Sequence, residues 1–323
     1  MINSNQAYVP DILGDEFEQR TLTLKDDYEG KVIATLIRRQ TTIPSAKAIL
    51  YIHGFSDYFF QDQMAKRFNK EGYTFYALDL RKYGRSYLNH QIINNVRSLI
   101  EYDEEINATL HIIKSEKHSE VILMGHSTGG LIITYYAGRH LHSNLFHGII
   151  CNSPFYEFNL NAIERKIGIP VLSFLSNYFP NLLISGGFSR FYGYSLHRDH
   201  FGEWDYNLAW KPHDLPKVTL SFIHAIHKAH KSIQNNMKLN VPGLILYSSQ
   251  TIKDKKWSER FMEGDAVLNV DHIRQYASQL QGKVTVREIE HGLHDLVLSK
   301  HEVREYVYKI IFEWLKMNFK NKK

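Results

Sequence analysis

Cysteine is almost absent. Cys151 is the single thiol among 323 residues, which excludes an internal disulfide and leaves no cysteine-based metal site. Basic blocks are missing too. The formal charge of +5 is spread along the chain, and only Lys316 to Lys323 is locally basic, which reads as a solvated helix end rather than an arm for nucleic acid. Aromatic residues make up 13% of the chain but form no nucleic-acid-binding pattern, so no such partner is expected. Met1 to Arg20 lacks a basic start followed by an apolar run, so no secretory signal is read and a cytoplasmic protein is expected. Ile167 to Ser189 carries no charge, but Pro170, Pro180 and Gly186-Gly187 break it, which argues against a membrane span. What is present, 43% hydrophobic and 23% charged residues, suits a soluble globular protein with a large core. The length fits one large domain with an insertion, or two small domains.

The stretch Val121 to Gly130 organises the rest. Val121 to Met124 reads as a buried strand and Leu131 to Ala137 has helical spacing. Between them lies Gly125-His126-Ser127-Thr128-Gly129. A serine at a strand-to-helix hinge takes a strained backbone conformation, so its neighbours two residues away must be small. Gly125 and Gly129 meet that need. The hinge would hold the Ser127 hydroxyl clear of the sheet, with a helix N-terminus behind it offering N–H groups to developing negative charge.

The rest of the chain alternates strands with helices. A hairpin is expected over 19–39, turning at Asp26–Gly30. Strands follow at Ala48–Ile52, Thr74–Leu78, Gly148–Asn152, Val241–Tyr247 and Lys283–Ile289, and helices at Gln61–Glu71, Ile100–Lys117, His272–Leu280 and Glu302–Phe319. Such alternation predicts an α/β fold with a mostly parallel sheet covered on both faces. The rhythm breaks between Pro154 and Asn240. The expected organisation is therefore a core of residues 1–153 and 241–323 with an inserted cap at 154–240.

A serine hydroxyl needs a base to take its proton and a carboxylate to orient that base. Ligands gather at the carboxyl ends of parallel strands, so the partners should follow later strands in the order acid, then histidine. The residues leave Asp254, Asp265 and Asp271 open as acids and His291 and His294 as bases, His294 being favoured by its reach beyond the last strand.

Five motifs, His53-Gly54-Phe55-Ser56-Asp57, Asp79-Leu80-Arg81 with Gly84-Arg85-Ser86, Gly125-His126-Ser127-Thr128-Gly129-Gly130, Gly264-Asp265-Ala266-Val267 and Gly292-Leu293-His294-Asp295, stand in an order that resembles the α/β-hydrolase superfamily. Within it, the chain is similar to the serine hydrolases containing monoacylglycerol lipases, lysophospholipases and serine aminopeptidase-like proteins. The resemblance implies Ser127 as nucleophile, Asp265 as orienting acid, His294 as general base, and the N–H groups of Phe55 and Thr128 as an oxyanion hole. It implies an ester or lipid substrate and no cofactor or metal. Asp265 stands further from its strand than in such relatives, and Lys82 replaces a glycine common among them. His53 and His126 are expected to hold loops by hydrogen bonds.

Within the insertion, the apolar stretch 167–189 fits a buried cap-to-core interface, an acyl pocket, or a surface making transient membrane contact. Glu203 and Asp205 keep an aminopeptidase or amidase alternative open, since cap acids bind a substrate amine in such relatives; ion pairs with Arg198 or Lys211 are the expectation for them. His224, His227 and His230 share a helix face and could approach a metal, but without a matching carboxylate cluster a solvated helix is expected. A non-catalytic sensor built on the same pocket is the remaining alternative.

Overall fold

The computed structural model describes residues 7–14 and 16–319. The first six residues of the Met1–Arg20 reading and residues 320–323 of the basic end lie outside the described residues. The chain begins with β1 (Val9–Pro10), β2 (Phe17–Thr23) and β3 (Ile33–Arg39), an antiparallel meander in which Phe17 faces Arg39 and Thr23 faces Ile33. The expected turn is present, with Asp27 and Gly30 paired across it. There follow β4 (Lys47–Ile52), α1 (Asp62–Lys70), β5 (Tyr73–Asp79), α2 (Asp103–Ser115), β6 (Glu120–His126), α3 (Thr128–Arg139) and β7 (Gly148–Asn152).

After β7 the chain leaves the sheet. It forms α4 (Ile169–Leu175), β8 (Leu183–Ile184), α5 (Phe191–Leu196), β9 (Val218–Thr219) and α6 (Leu220–Gln234), and β8 pairs only with β9. It returns as β10 (Gly243–Ser248), α7 (Val270–Ala277), β11 (Val284–Ile289) and α8 (His301–Asn318). The main sheet has nine strands in the order β1-β2-β3-β5-β4-β6-β7-β10-β11. The six from β5 to β11 are mutually parallel.

The apolar runs explain the layering. Every residue of β5 and of β7 is buried, as a strand covered on both faces requires. α3 runs through the packed interior, buried from Thr128 to Ala137. The helix expected from Ile100 starts instead at Asp103. Ser98 and Glu101 form a capping box over a tight turn at Leu99–Tyr102 before it.

The expectation of a solvated helix for the three histidines is wrong. α6 packs against α4 and α3, because Phe222, Ile226, Ala229 and Ile233 recur at helical spacing and are buried. His230 stands four residues beyond Ile226, on the same stripe, and is buried with it. Its Nε2–H donates to the Phe155 carbonyl at 2.7 Å, and His224 bonds the Ser173 hydroxyl at 2.9 Å. Among the described residues no cluster of His, Cys, Asp or Glu is arranged to hold a metal ion.

Candidate active site

Ser127 sits at the junction of β6 and α3 with φ 53° and ψ −116°, a left-handed conformation that a side chain other than glycine's rarely adopts. The junction is crowded. A Cβ on Gly129 would overlap the carbonyl oxygens of Ile52 and His53, and one on Gly125 would overlap the backbone of Gly129. The two glycines therefore let β6 and α3 meet beside β4, which drives the serine outward from the sheet.

His294 and Asp265 converge on that hydroxyl. Nε2 of His294 lies 2.9 Å from Ser127 Oγ, and Nδ1 lies 2.8 Å from Asp265 Oδ2. The tautomer that satisfies both contacts donates Nδ1–H to the carboxylate and accepts the serine O–H at Nε2. All three residues are buried. Burial is the largest influence on His294 and lowers its pKa below the ordinary value, against the opposing pull of the Asp265 carboxylate. The other Asp265 oxygen accepts the N–H groups of Val267 and Leu268 at 2.8 and 2.7 Å.

The distance of Asp265 from its strand is resolved by a fold-back. The loop after β10 returns so that Asp265 bridges Thr251, with Asp265 N–H donating to the Gln250 carbonyl and Ile252 N–H to the Asp265 carbonyl. The other candidates lie elsewhere. Asp254 takes the Ser258 hydroxyl and Arg260. Asp271 pairs with Arg274 in the first turn of α7, where its N–H donates to the capping side chain of Asn269. His291 is exposed beside Glu263.

Phe55 and Thr128 border the same cavity as Ser127. Among the described residues neither of their backbone N–H groups has a backbone acceptor. This cavity measures about 720 Å³, and its walls are largely apolar, including Phe155, Phe158, Ile169, Leu172, Phe222 and Ile226. A second, smaller chamber of about 30 Å³ also borders Ser127, together with His126 and His294.

His53 holds loops as expected. Leu80 N–H donates to its Nε2 at 3.0 Å and its Nδ1–H donates to the Gly54 carbonyl at 2.8 Å. His126 does not. Neither of its ring nitrogens has a hydrogen-bond partner, and Nδ1 lies 3.8 Å from Asp57 and 3.9 Å from Asp295. The difference is geometric: His53 reaches across to the loop after β5, whereas His126 points into the small chamber beside His294, at 4.8 Å between ring centroids.

Lys82, where a glycine is common in relatives, has φ 67°. Its buried ammonium pairs with Asp27 at 2.8 Å and Glu29 at 3.1 Å, contacts that offset the backbone strain. Cys151 is also buried, and that burial pushes its thiol to about 11, so it stays protonated.

Sequence reasoning missed the residues that hold the histidine in place. Asn152, at the end of β7, donates to Asp295 Oδ1 at 2.7 Å and accepts Leu296 N–H at 3.1 Å. Gln61 donates to the other Asp295 oxygen at 3.1 Å. The available signal was a carboxylate directly after the candidate histidine. Glu203 and Asp205 border neither cavity. Glu203 pairs with Arg304 and Asp205 with Arg198 at 2.9 Å, while Lys211 pairs with Asp57 at 2.8 Å.

Several solved structures share this fold. A soluble variant of monoglyceride lipase from Saccharomyces cerevisiae, solved with a substrate analog, superposes with a TM-score of 0.64 at 15% identity, covering 97% of this chain and 94% of that one. Monoacylglycerol lipase from Paleococcus ferrophilus gives 0.60 at 19% identity, covering 88% and 99%. A thermostable carboxyl esterase from Bacillus coagulans gives 0.62 at 14% identity, covering 93% and 98%. No curated protein matches by sequence. The family described as serine aminopeptidase, S33, matches residues 44–300, from the strand before His53 to the loop after His294. This chain belongs to that family of α/β-hydrolases.

Proposed function

We propose that the protein is a serine carboxylic ester hydrolase acting on esters with an apolar acyl group. One observation carries the reading: Ser127, His294 and Asp265 form an unbroken hydrogen-bonded chain beside a largely apolar cavity of about 720 Å³. In this reading His294 takes the Ser127 proton as Oγ attacks the ester carbonyl, and Asp265 stabilises the imidazolium that forms. The N–H groups of Phe55 and Thr128 receive the oxyanion, each such donor contributing about 3–4 kcal/mol. His294 then gives the proton to the leaving alcohol and activates the water that frees the acyl group.

Residues 154–240 act as a cap over a core of 1–153 and 241–323. One side of the apolar stretch lines the acyl cavity through Ile169 and Leu172. The other side is exposed at Ile167, Val171 and Phe174 and rests transiently on a lipid surface. The amide-cleaving alternative is weaker, because its amine-binding acids, Glu203 and Asp205, are engaged by arginines away from both cavities.

A fluorophosphonate probe tests the proposal. Covalent labelling is expected at Ser127, and its loss is expected in Ser127→Ala and His294→Ala. A folded protein that takes no label would favour the sensor instead.

A further inference from the structure

We infer that Lys211 is a positioning residue of the reaction: through the Asp57 carboxylate it holds the loop that aims the Phe55 N–H at the oxyanion. The inference rests on the ester hydrolase reading and adds a contribution from outside the α/β core. Lys211 belongs to the segment inserted between β7 and β10.

The loop needs to be held. Ser56, directly after Phe55, has φ 49°, a left-handed backbone that persists at a residue with a side chain only when the surroundings enforce it. Its buried hydroxyl has no hydrogen-bond partner among the described residues, so the serine does not brace its own turn. The enforcing contacts come from the inserted segment on both sides of Ser56. Before it, the Phe222 ring of α6 packs on that of Phe55, 5.3 Å between centroids. After it, residues 207–211 grip two consecutive residues. Lys211 Nζ meets Asp57 Oδ2 at 2.8 Å, the Asn207 N–H donates to the Tyr58 hydroxyl at 2.7 Å, and the Trp210 ring meets that of Tyr58 edge-on at 5.0 Å.

Of these contacts the ion pair binds hardest, because it is charged at both ends and shielded from water. The two side chains are 10% and 1% exposed. Burial alone would raise the Asp57 carboxyl, but the Lys211 ammonium and His126 outweigh it and hold the group well below the usual carboxylate range. The other Asp57 oxygen accepts the Tyr58 N–H at 2.9 Å. One carboxylate therefore ties the backbone just beyond Ser56 to the inserted segment.

The test separates alignment from folding by comparing two inhibitors with one alkyl chain, a trifluoromethyl ketone and the matching trifluoromethyl carbinol. Ser127 Oγ adds to the ketone carbon, its proton passes to His294, and the carbonyl oxygen becomes an oxyanion; the carbinol forms no adduct. Two variants are used, Lys211→Met and the double variant Asp57→Asn with Lys211→Met. The second leaves no uncompensated buried carboxylate, so it folds even where the first does not. Each should lower kcat on p-nitrophenyl butyrate about tenfold or more with KM nearly unchanged. The ketone Ki should rise by a similar factor while the carbinol Ki stays, and Lys211→Arg, which keeps the charge, should lose far less activity. Native kcat in the folded double variant, or an equal change for ketone and carbinol, would overturn the positioning role alone. A native protein that hydrolyses no ester and binds the ketone no tighter than the carbinol would overturn it together with the ester hydrolase reading.

Discussion

At the residue scale the telling group is His294, because burial sets which form it takes. Removing an imidazole from water penalises its charged form, and here that penalty outweighs the attraction of Asp265. The neighbouring His126 lowers the proton affinity further. The base-competent neutral ring therefore persists to lower pH than a free histidine allows. Activity should rise with pH through the His294 pKa and then level off, with the acidic inflection of kcat/KM below the ordinary 6.5. A pH profile on a soluble p-nitrophenyl ester checks this, and an inflection above 6.5 would contradict it. The ring is held for this work by its loop. Asp295 is clamped by Asn152 and Gln61, which fixes the segment that carries Nε2 to Ser127.

At the scale of elements, α6 carries a prediction of its own. His230 is buried on the apolar stripe of that helix, and burial pushes it down to about 3. In the unfolded chain it titrates near 6.5. Above that pH both states are neutral and the group contributes no pH dependence. As the pH falls from 6.5 towards 3 the unfolded chain binds a proton that the native helix refuses, so stability drops, by about 1.4 kcal/mol for each pH unit within that window. Gln at this position keeps a donor for the Phe155 carbonyl but does not titrate. His230→Gln should lose less stability than the native protein between pH 7 and pH 4.5, measured as urea midpoints at the two values. Equal losses would count against this account.

The same helix shows why parts of the fold were harder to read. Strands such as β5 and β7 are covered on both faces, so their apolar runs stand out locally, and the small residues around Ser127 mark the hinge. In α6 the three-residue spacing of histidines masks the stripe of Phe222, Ile226 and Ile233 that buries it. Asp265 could not be separated from Asp254 and Asp271 by its residues alone, because its place depends on the loop folding back onto Thr251. The burial of Lys82 likewise depends on Asp27 and Glu29, which arrive from a distant hairpin turn.

For the whole molecule, the distribution of exposed apolar groups is uneven. Among the described residues, nine of the eighteen exposed large apolar side chains lie between Leu160 and Leu183. Ile163, Ile167, Val171, Phe174 and Tyr178 follow one another at helical spacing, each more than half exposed. Leu160, Ile169 and Leu172 of the same segment border the large cavity beside Ser127, so the outer apolar face continues into the proposed binding site. No helix among the described residues is long and apolar enough to cross a membrane. Burying one such side chain in an interface stabilises by about 1.5–3 kcal/mol at most. Ile167→Asp with Phe174→Asp should therefore weaken binding to phosphatidylcholine vesicles at least tenfold in co-sedimentation. Both residues are exposed and lie outside both cavities, so turnover of a water-soluble short-chain ester should stay unchanged. If the double variant binds vesicles as the native protein does, the exposed face does not meet lipid.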